Sequence, residues 1–242
     1  MTIAAFFVAW LAAEPAPAPA QTQAQTDVDL ELVLTADGSG SIDDGELRLQ
    51  REGYAEAIAS PRVLDAILSG FNGRIAVAYV EWGGATSQHT IVDWMVVEDE
   101  ASARAFGDAL LAAPRAATGW NSISGAIDYA AGLIADNRHE GFRKIIDVSA
   151  DSGHYGGRPV QAARNDAVSA GVTINGLVVA SRDGSMPGPD AATLEDHFRR
   201  DIIGGPGAFV MVADEKTSFA QAVLNKLLLE IAAAPPMHDP EH

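Results

Sequence analysis

A doubly wound α/β fold is predicted, with a mostly parallel six-stranded sheet, one antiparallel edge strand and helices on both faces. Three observations predict it. Short apolar runs alternate with helical ones along residues 28–233, the pattern of successive βα units. The first run, LELVLTA at 30–36, is apolar at nearly every position instead of alternating, as in a strand covered on both faces. Two later strand runs are joined only by Gly83-Gly84-Ala85-Thr86-Ser87, too short for a helical crossover, so that pair is antiparallel.

The elements follow in order. After the strand at 30–36 come helical stretches at 44–59 and 61–68, then the strand runs RIAVAYVEW (74–82) and QHTIVDWMVV (88–97). Helices are expected at 98–113 and 122–136, a buried strand at 144–150 (KIIDVSA), a helix at 160–170 and a strand at 172–179 (VTINGLVV). A helix at 190–200, an edge strand at 208–212 and a last helix at 215–233 complete the domain. Residues 234–242 (APPMHDPEH without its helical start, a polar Pro/His/acid stretch) form a tail. Residues 1–27 stand apart: an apolar run from Ile3 to Ala13 precedes the Pro/Ala/Gln stretch EPAPAPAQTQAQT. The run is too short to span a bilayer and resembles the apolar and cleavage regions of a secretory signal, although no Lys or Arg precedes Arg48. Residues 14–27 read as a linker. The expected location is periplasmic or secreted, with a cytoplasmic tail as the alternative.

A length of 242 residues accommodates a substantial core. The net charge of −17, from 33 acidic and 16 basic residues, argues against nucleic acid and anionic membranes as partners. There is no cysteine, hence no disulfide, thiolate chemistry or Cys zinc site.

The chemistry concentrates at Asp37-Gly38-Ser39-Gly40-Ser41, directly after the first strand. A carboxylate and two hydroxyls at alternate positions, separated by glycines, gather small oxygen ligands on one turn, as a hard divalent cation such as Mg²⁺ requires. A strand-to-helix loop at the carboxyl edge of an α/β sheet is the expected place for such a site. The same residues also suit an ordinary turn that caps the next helix. An EF-hand is excluded, because Ile42 stands at the glycine position and Arg48 at the final glutamate. A phosphoaspartate mechanism would want a carboxylate where Ser39 stands. Gly204-Gly205-Pro206-Gly207 precedes a strand and lacks a Lys-Ser/Thr pair, so it reads as a turn. Trp82 and Trp94 read as packing residues, and His89, His139 and His197 as surface or satisfied histidines.

This Asp-x-Ser-x-Ser pattern resembles the metal-ion-dependent adhesion site of von Willebrand factor type A and integrin inserted domains. With AVAYVEWGG (76–84), SISGAIDYA (122–130) and IIGGPGAFV (202–210), the chain resembles an uncharacterised bacterial branch of that superfamily. The resemblance implies a site built from three loops. Asp37, Ser39 and Ser41 match the first. Asp151, directly after the strand at 144–150, matches the carboxylate of the last. In the middle loop, where the family shows threonine, alignment places Asn121, or with a shift of one Ser122 followed by Ser124; Thr118 is a third candidate. The implied ion is Mg²⁺, or Mn²⁺ or Ca²⁺, and the implied partner is a protein presenting Asp or Glu to it. His154 and Tyr155, near Asp151, are candidates for touching that partner. The expected role is binding and not catalysis. The alternatives are a metal-dependent hydrolase using Asp37 and Asp151, for which only His154 lies close enough to act as a base, and a scaffold with a degenerate site.

Overall fold

A computed structural model describes residues 25–179, 191–213 and 218–232. The expected signal segment, most of the linker and the tail lie outside the described residues. Six strands form one sheet in the order β3-β2-β1-β4-β5-β6. They are β1 (Thr26–Asp37), β2 (Ile75–Trp82), β3 (Gln88–Val97), β4 (His139–Ala150), β5 (Val172–Val179) and β6 (Val210–Ala213). Every pairing is parallel except that of β2 with β3. The five-residue link at 83–87 therefore makes the antiparallel edge that its length dictates.

Helices cover both faces: α1 (Asp44–Ile58), α2 (Pro61–Leu68), α3 (Glu100–Ala112), α4 (Ile123–Asp136), α5 (Val160–Ser169), α6 (Ala191–His197) and α7 (Phe219–Ala232). Their starts are written in the sequence. Asp43 caps α1 and Glu46 returns the hydrogen bond to the Asp43 amide. Asp99 and Ser102 do the same for α3. Ser60 caps α2, with Pro61 at the position where its missing N–H costs nothing.

The sheet separates two cores. Leu30, Leu32 and Leu34 of β1 pack with Tyr54 of α1, Phe106 of α3 and Leu227 of α7. Val33, on the opposite face, packs with Val80, Ile127 of α4 and Val148. Both faces of β1 are thus covered, which explains its unbroken apolar run. Each such side chain contributes about 1.5–3 kcal/mol by leaving water.

Of the boundaries that differ from expectation, three have a clear physical reason. Thr26 and Asp27, read as linker, belong to β1, because Thr26 pairs with His139 and Asp27 with Glu140. By the same pairing β4 begins at His139 rather than Lys144; main-chain bonding extends a strand through the polar HEGFR, where no apolar pattern signals it. The helix expected at 190–200 is α6 followed by a π-helical turn at Phe198–Ile202, which buries Phe198 and Ile202.

Candidate metal centre

In the parallel register Asp37 ends β1 beside Trp82 of β2, and Ala36 lies beside Ser149 of β4. The chain leaves β1 toward β2 on one side, while β4 lies on the other. The carboxyl ends of β1 and β4 therefore flank a topological switch point, where a crevice forms in sheets of this kind. Asp37 and Asp151 emerge from those two strand ends.

The first loop is rigidly organised. The Ser39 amide donates to Asp37 Oδ1 at 2.8 Å, and the Ser39 and Ser41 hydroxyls lie 3.0 Å apart. Asp37 and Ser39 are buried, while Ser41 is exposed. The Gly40 amide donates to the Gly119 carbonyl at 3.0 Å, which ties this loop to the middle one. From outside, Arg115 Nη2 lies within hydrogen-bond distance of the carbonyls of Gly38, Ser39 and Ile42. From beneath, Gln50 Nε2 reaches the Asp37 carbonyl at 3.4 Å. Buried Arg51 pairs with Glu81 at 2.7 Å and donates to the carbonyls of Ala113 and Pro114.

The two middle-loop candidates left open by the sequence, Asn121 and Ser122, lie in different surroundings. The Ser122 hydroxyl caps α4 by accepting from the Gly125 amide at 3.2 Å and donates to the Gly156 carbonyl at 2.8 Å. The neighbouring Asn121 side chain is buried, and its Oδ1 has no hydrogen-bond partner. Ser124 is buried and directed to the same Gly156 carbonyl. Thr118 is exposed and holds the hairpin through its main chain: its carbonyl accepts from the Gly84 amide at 2.8 Å and its amide donates to Ser87 Oγ. Gly83 faces the Thr118 carbonyl so closely that an added Cβ would stand 2.3 Å from that oxygen. Gly157 (φ +91°) likewise lies against the hydroxyls of Ser122 and Ser124, in a backbone conformation that favours glycine.

In the last loop Asp151 is half-buried, with its Oδ1 buried and unpartnered. Asp37 Oδ2 is also buried without a partner. Burial, and after it the charge of Asp151, push the Asp37 carboxyl up to about 7. The two carboxylates are therefore close enough to repel. Among the described residues no group of three His, Cys, Asp or Glu side chains gathers to hold a metal. The donor set at this edge is two carboxylates supplemented by an amide and hydroxyl oxygens. Three unpartnered buried acceptors, Asp37 Oδ2, Asn121 Oδ1 and Asp151 Oδ1, come from three loops, and no protein donor answers them. Burying acceptors without donors is costly. A hard, oxygen-seeking cation fits this set.

The predicted partner residues differ in their freedom. Tyr155 is 67 % exposed, and its amide donates to the Asn121 carbonyl at 2.9 Å. His154 donates from Nε2 to the Arg158 carbonyl at 3.0 Å, and burial pushes its imidazole below the usual histidine range. His197, read from the sequence as a surface or satisfied histidine, stands behind it and is satisfied by an acid. His197 Nδ1 lies 2.7 Å from Asp201 Oδ2, and His197 Nε2 accepts from the His154 amide at 3.5 Å. Burial opposes ionisation of Asp201, yet hydrogen bonds from Arg200, His197 and Gln161 hold its carboxyl down to about 2. An acid four residues after a histidine on one helical face is the available sequence signal for this pair.

This sheet order is that of a von Willebrand factor type A-like fold. The chain belongs to the family described as protein of unknown function (DUF1194), whose model matches residues 27–235. No curated protein matches it. Among solved structures it is similar to the pilus adhesin SpaC from Lactobacillus rhamnosus GG in an open conformation, at 12 % identity and a TM-score of 0.60, over 86 % of this chain and 31 % of that one. It is also similar to proximal thread matrix protein 1 of the mussel byssus (16 % identity, TM-score 0.58, 86 % and 48 % covered). A von Willebrand factor type A protein from Catenulispora acidiphila matches at 15 % identity and a TM-score of 0.51, with 85 % and 42 % covered. The chain thus spans less than half the length of each of these neighbours. At such identities the likeness is one of fold.

Proposed function

We propose that the chain is an exported, divalent-metal-dependent protein-binding domain and not an enzyme. The observation that supports this reading is that Asp37 Oδ2, Asn121 Oδ1 and Asp151 Oδ1, one from each of three loops, are buried and unpartnered, with Asp151 close enough to raise the Asp37 carboxyl. Asp37, Ser39, Ser41, Asn121 and Asp151 would hold the ion, while Ser122 supports Asn121 from the start of α4. When bound, Mg²⁺, Mn²⁺ or Ca²⁺ supplies a Lewis acid able to accept an outside carboxylate oxygen. The protein's part is to preorganise oxygens: Arg115 fixes the first loop, and main-chain bonds fix the others to the middle loop. With only two carboxylates in the set, an Asp or Glu of a partner is a fitting further donor. The solved neighbours include a pilus adhesin and, for proximal thread matrix protein 1, a structure with zinc in this type of motif, which supports a binding role. The N-terminal apolar run supports export. No helix among the described residues is long and apolar enough to cross a membrane.

Thermal unfolding with Mg²⁺, Mn²⁺, Ca²⁺ or EDTA, beside Asp37→Ala, tests the reading. Metal at one hundred times its dissociation constant should stabilise the protein by about 2.7 kcal/mol, and Asp37→Ala should abolish that gain. Identical melting under all conditions would leave a scaffold. The His197–Asp201 pair favours one rival, a hydrolase, since an imidazole oriented by Asp201 beside the Asp151 loop would suit a general base once its Nε2 leaves the long contact with the His154 amide. Metal-dependent ester or phosphoester hydrolysis lost in His197→Gln would establish that rival instead.

A further inference from the structure

At the amino ends of the parallel strands, opposite the Asp37 loop, two aromatic rings stand in water. Phe71 is 89 % exposed and Phe142 54 %, and the rings meet edge to face with centroids 5.8 Å apart. Phe71 sits on a turn built around one carboxylate. Asp29 of β1 accepts from the Asn72 amide at 2.9 Å, from Asn72 Nδ2 at 3.3 Å and from the Arg74 amide at 3.4 Å. Its own amide donates to the Arg74 carbonyl at 2.8 Å, which fixes it in the sheet. Glycines bracket the ring: Gly73 has φ +64°, and a Cβ at Gly70 would stand 2.2 Å from the Asp29 carboxylate. The fold thus holds a large apolar side chain in water on a turn that a polar residue would serve as well.

Phe142 lies in β4 between Gly141 and Arg143, the partners of Val28 and Leu30 in β1. The pair therefore stands where the chain enters the sheet, since β1 begins at Thr26. Upstream are the apolar run from Ile3 to Ala13 and residues 14–24, in which Glu14 is the one charged residue. A stretch of that length spans at most about 40 Å, so the apolar run is tethered within reach of the rings. Most charged groups at this end of the sheet are occupied. Arg74 pairs with Glu98 and Lys144 with Glu31, while Arg143 donates to the carbonyls of Glu230 and Ile231. Asp27, Arg138 and Glu140 are exposed there, a mixture of signs that gives anionic lipid no advantage.

We propose that this edge is a membrane-docking face, on which Phe71 and Phe142 enter the interface of a zwitterionic bilayer while the run from Ile3 to Ala13 holds the chain to the same surface. Taking one such ring out of water favours lipid by about ten- to a hundredfold, which is marginal for a free domain. A short flexible tether supplies an effective concentration in the millimolar range, and two rings then suffice. The inference concerns the chain that keeps residues 1–24, and it holds whether or not an ion binds at Asp37. β1 runs from this face to the other edge, and Asp29 to Asp37 is roughly 26 Å of strand. A docked domain therefore turns the Asp37 loop away from the lipid.

The test uses the full chain, which has no cysteine of its own, with phosphatidylcholine vesicles. An environment-sensitive fluorophore is attached at Phe71→Cys or, as the control, at Thr86→Cys, exposed in the link between β2 and β3. Vesicles should blue-shift the label at 71 and leave the label at 86 unchanged. The double variant Phe71→Ser, Phe142→Ser should float with vesicles about tenfold more weakly or worse. Its circular dichroism and melting temperature should match the unaltered chain, which shows that it folds. A vesicle-bound chain with no shift at 71, equal shifts at both labels, or undiminished flotation of the double variant overturns the docking face and leaves the apolar run as the anchor. A label at 71 that shifts with protein concentration without vesicles, with a dimer in sedimentation, overturns the lipid in favour of a second copy of the chain.

Discussion

Arg115 holds the Ser39 loop by its main chain: Nη2 lies 3.0 Å from the Ser39 carbonyl and 2.7 Å from that of Ile42, while Nη1 reaches Asp44 at 2.9 Å. The Asp44 side chain is 91 % exposed, so that ion pair adds little. The carbonyl contacts are the consequential ones, because they set the turn on which Asp37, Ser39 and Ser41 sit.

Arg115→Ala should therefore weaken metal binding without removing any ligand. Loss of charge-assisted hydrogen bonds of this sort costs about 1.5–3 kcal/mol, roughly a ten- to hundredfold loss of affinity if it falls on the loaded state. Arg115→Lys should not restore it, since one ammonium cannot reproduce the planar fork. Metal titration followed by melting temperature measures both; full affinity in Arg115→Lys would show that charge alone suffices.

Asn121 and Ser122 should separate cleanly. Asn121→Ala removes an unpartnered oxygen, so the metal-free protein should lose little stability while the metal-dependent rise disappears. Ser122→Ala removes the cap of α4 and should cost about 1 kcal/mol with or without metal, leaving the rise in place. The reverse pattern would transfer the ligand role to Ser122.

Gly83 and Gly84 are adjacent and unequal. A Cβ at 83 would stand 2.3 Å from the Thr118 carbonyl, while one at 84 meets nothing nearer than 3.6 Å. Gly83→Ala should cost about 2 kcal/mol or more and lower the melting temperature by several degrees. Gly84→Ala should melt close to the unaltered chain. Equal melting of the two would mean that the hairpin yields freely at residue 83.

The buried cluster behind the site has its own pH signature. Lys226 of α7 pairs with Asp147 of β4 at 2.7 Å and with Glu230 one turn on, and Asn175 donates to Glu230 at 2.9 Å. Burial raises the Asp147 carboxyl to about 7; Lys226 opposes this and the Glu230 charge adds to it. The folded protein keeps a proton that the unfolded chain releases near its ordinary value of 3.8. The stabilising contribution is thus complete below that value and is lost as pH rises through about 7. Asp147→Asn should flatten the dependence of stability on pH between about 4 and 7. Lys226→Met should cost about 3–5 kcal/mol near pH 8, where two carboxylates are left buried without their cation. Urea unfolding across this range reads both effects, and an unchanged slope in Asp147→Asn would assign the proton elsewhere.

The sheet was legible wherever burial dictates composition. β1, β2 and β5 are covered on both faces and read as apolar runs, and the link at 83–87 fixed the antiparallel edge. The first half of β4 was not legible, because main-chain pairing carries it through polar residues. At the site, Asp37, Ser39 and Ser41 were visible as one local pattern, and Asp151 by its place after a strand. Arg115 was not, since it meets Ser39 across 76 positions and leaves no periodic trace. Arg51 with Glu81, 30 positions apart, escaped for the same reason. That the Ser122 hydroxyl caps α4 while the Asn121 amide oxygen stays unpartnered is a fact of three dimensions, and the sequence left both as candidates.

The loops at this edge meet through main-chain atoms: Gly40 to Gly119, Gly84 to Thr118, Ser122 to Gly83 and Tyr155 to Asn121. Amides and carbonyls are common to every residue but proline, so this lattice does not depend on which side chains the middle loop bears. Position 121 is thereby free to exchange one oxygen donor for another, asparagine for threonine, without disturbing the frame that aims it. The fold permits the polar group at this position to change while its architecture stays fixed.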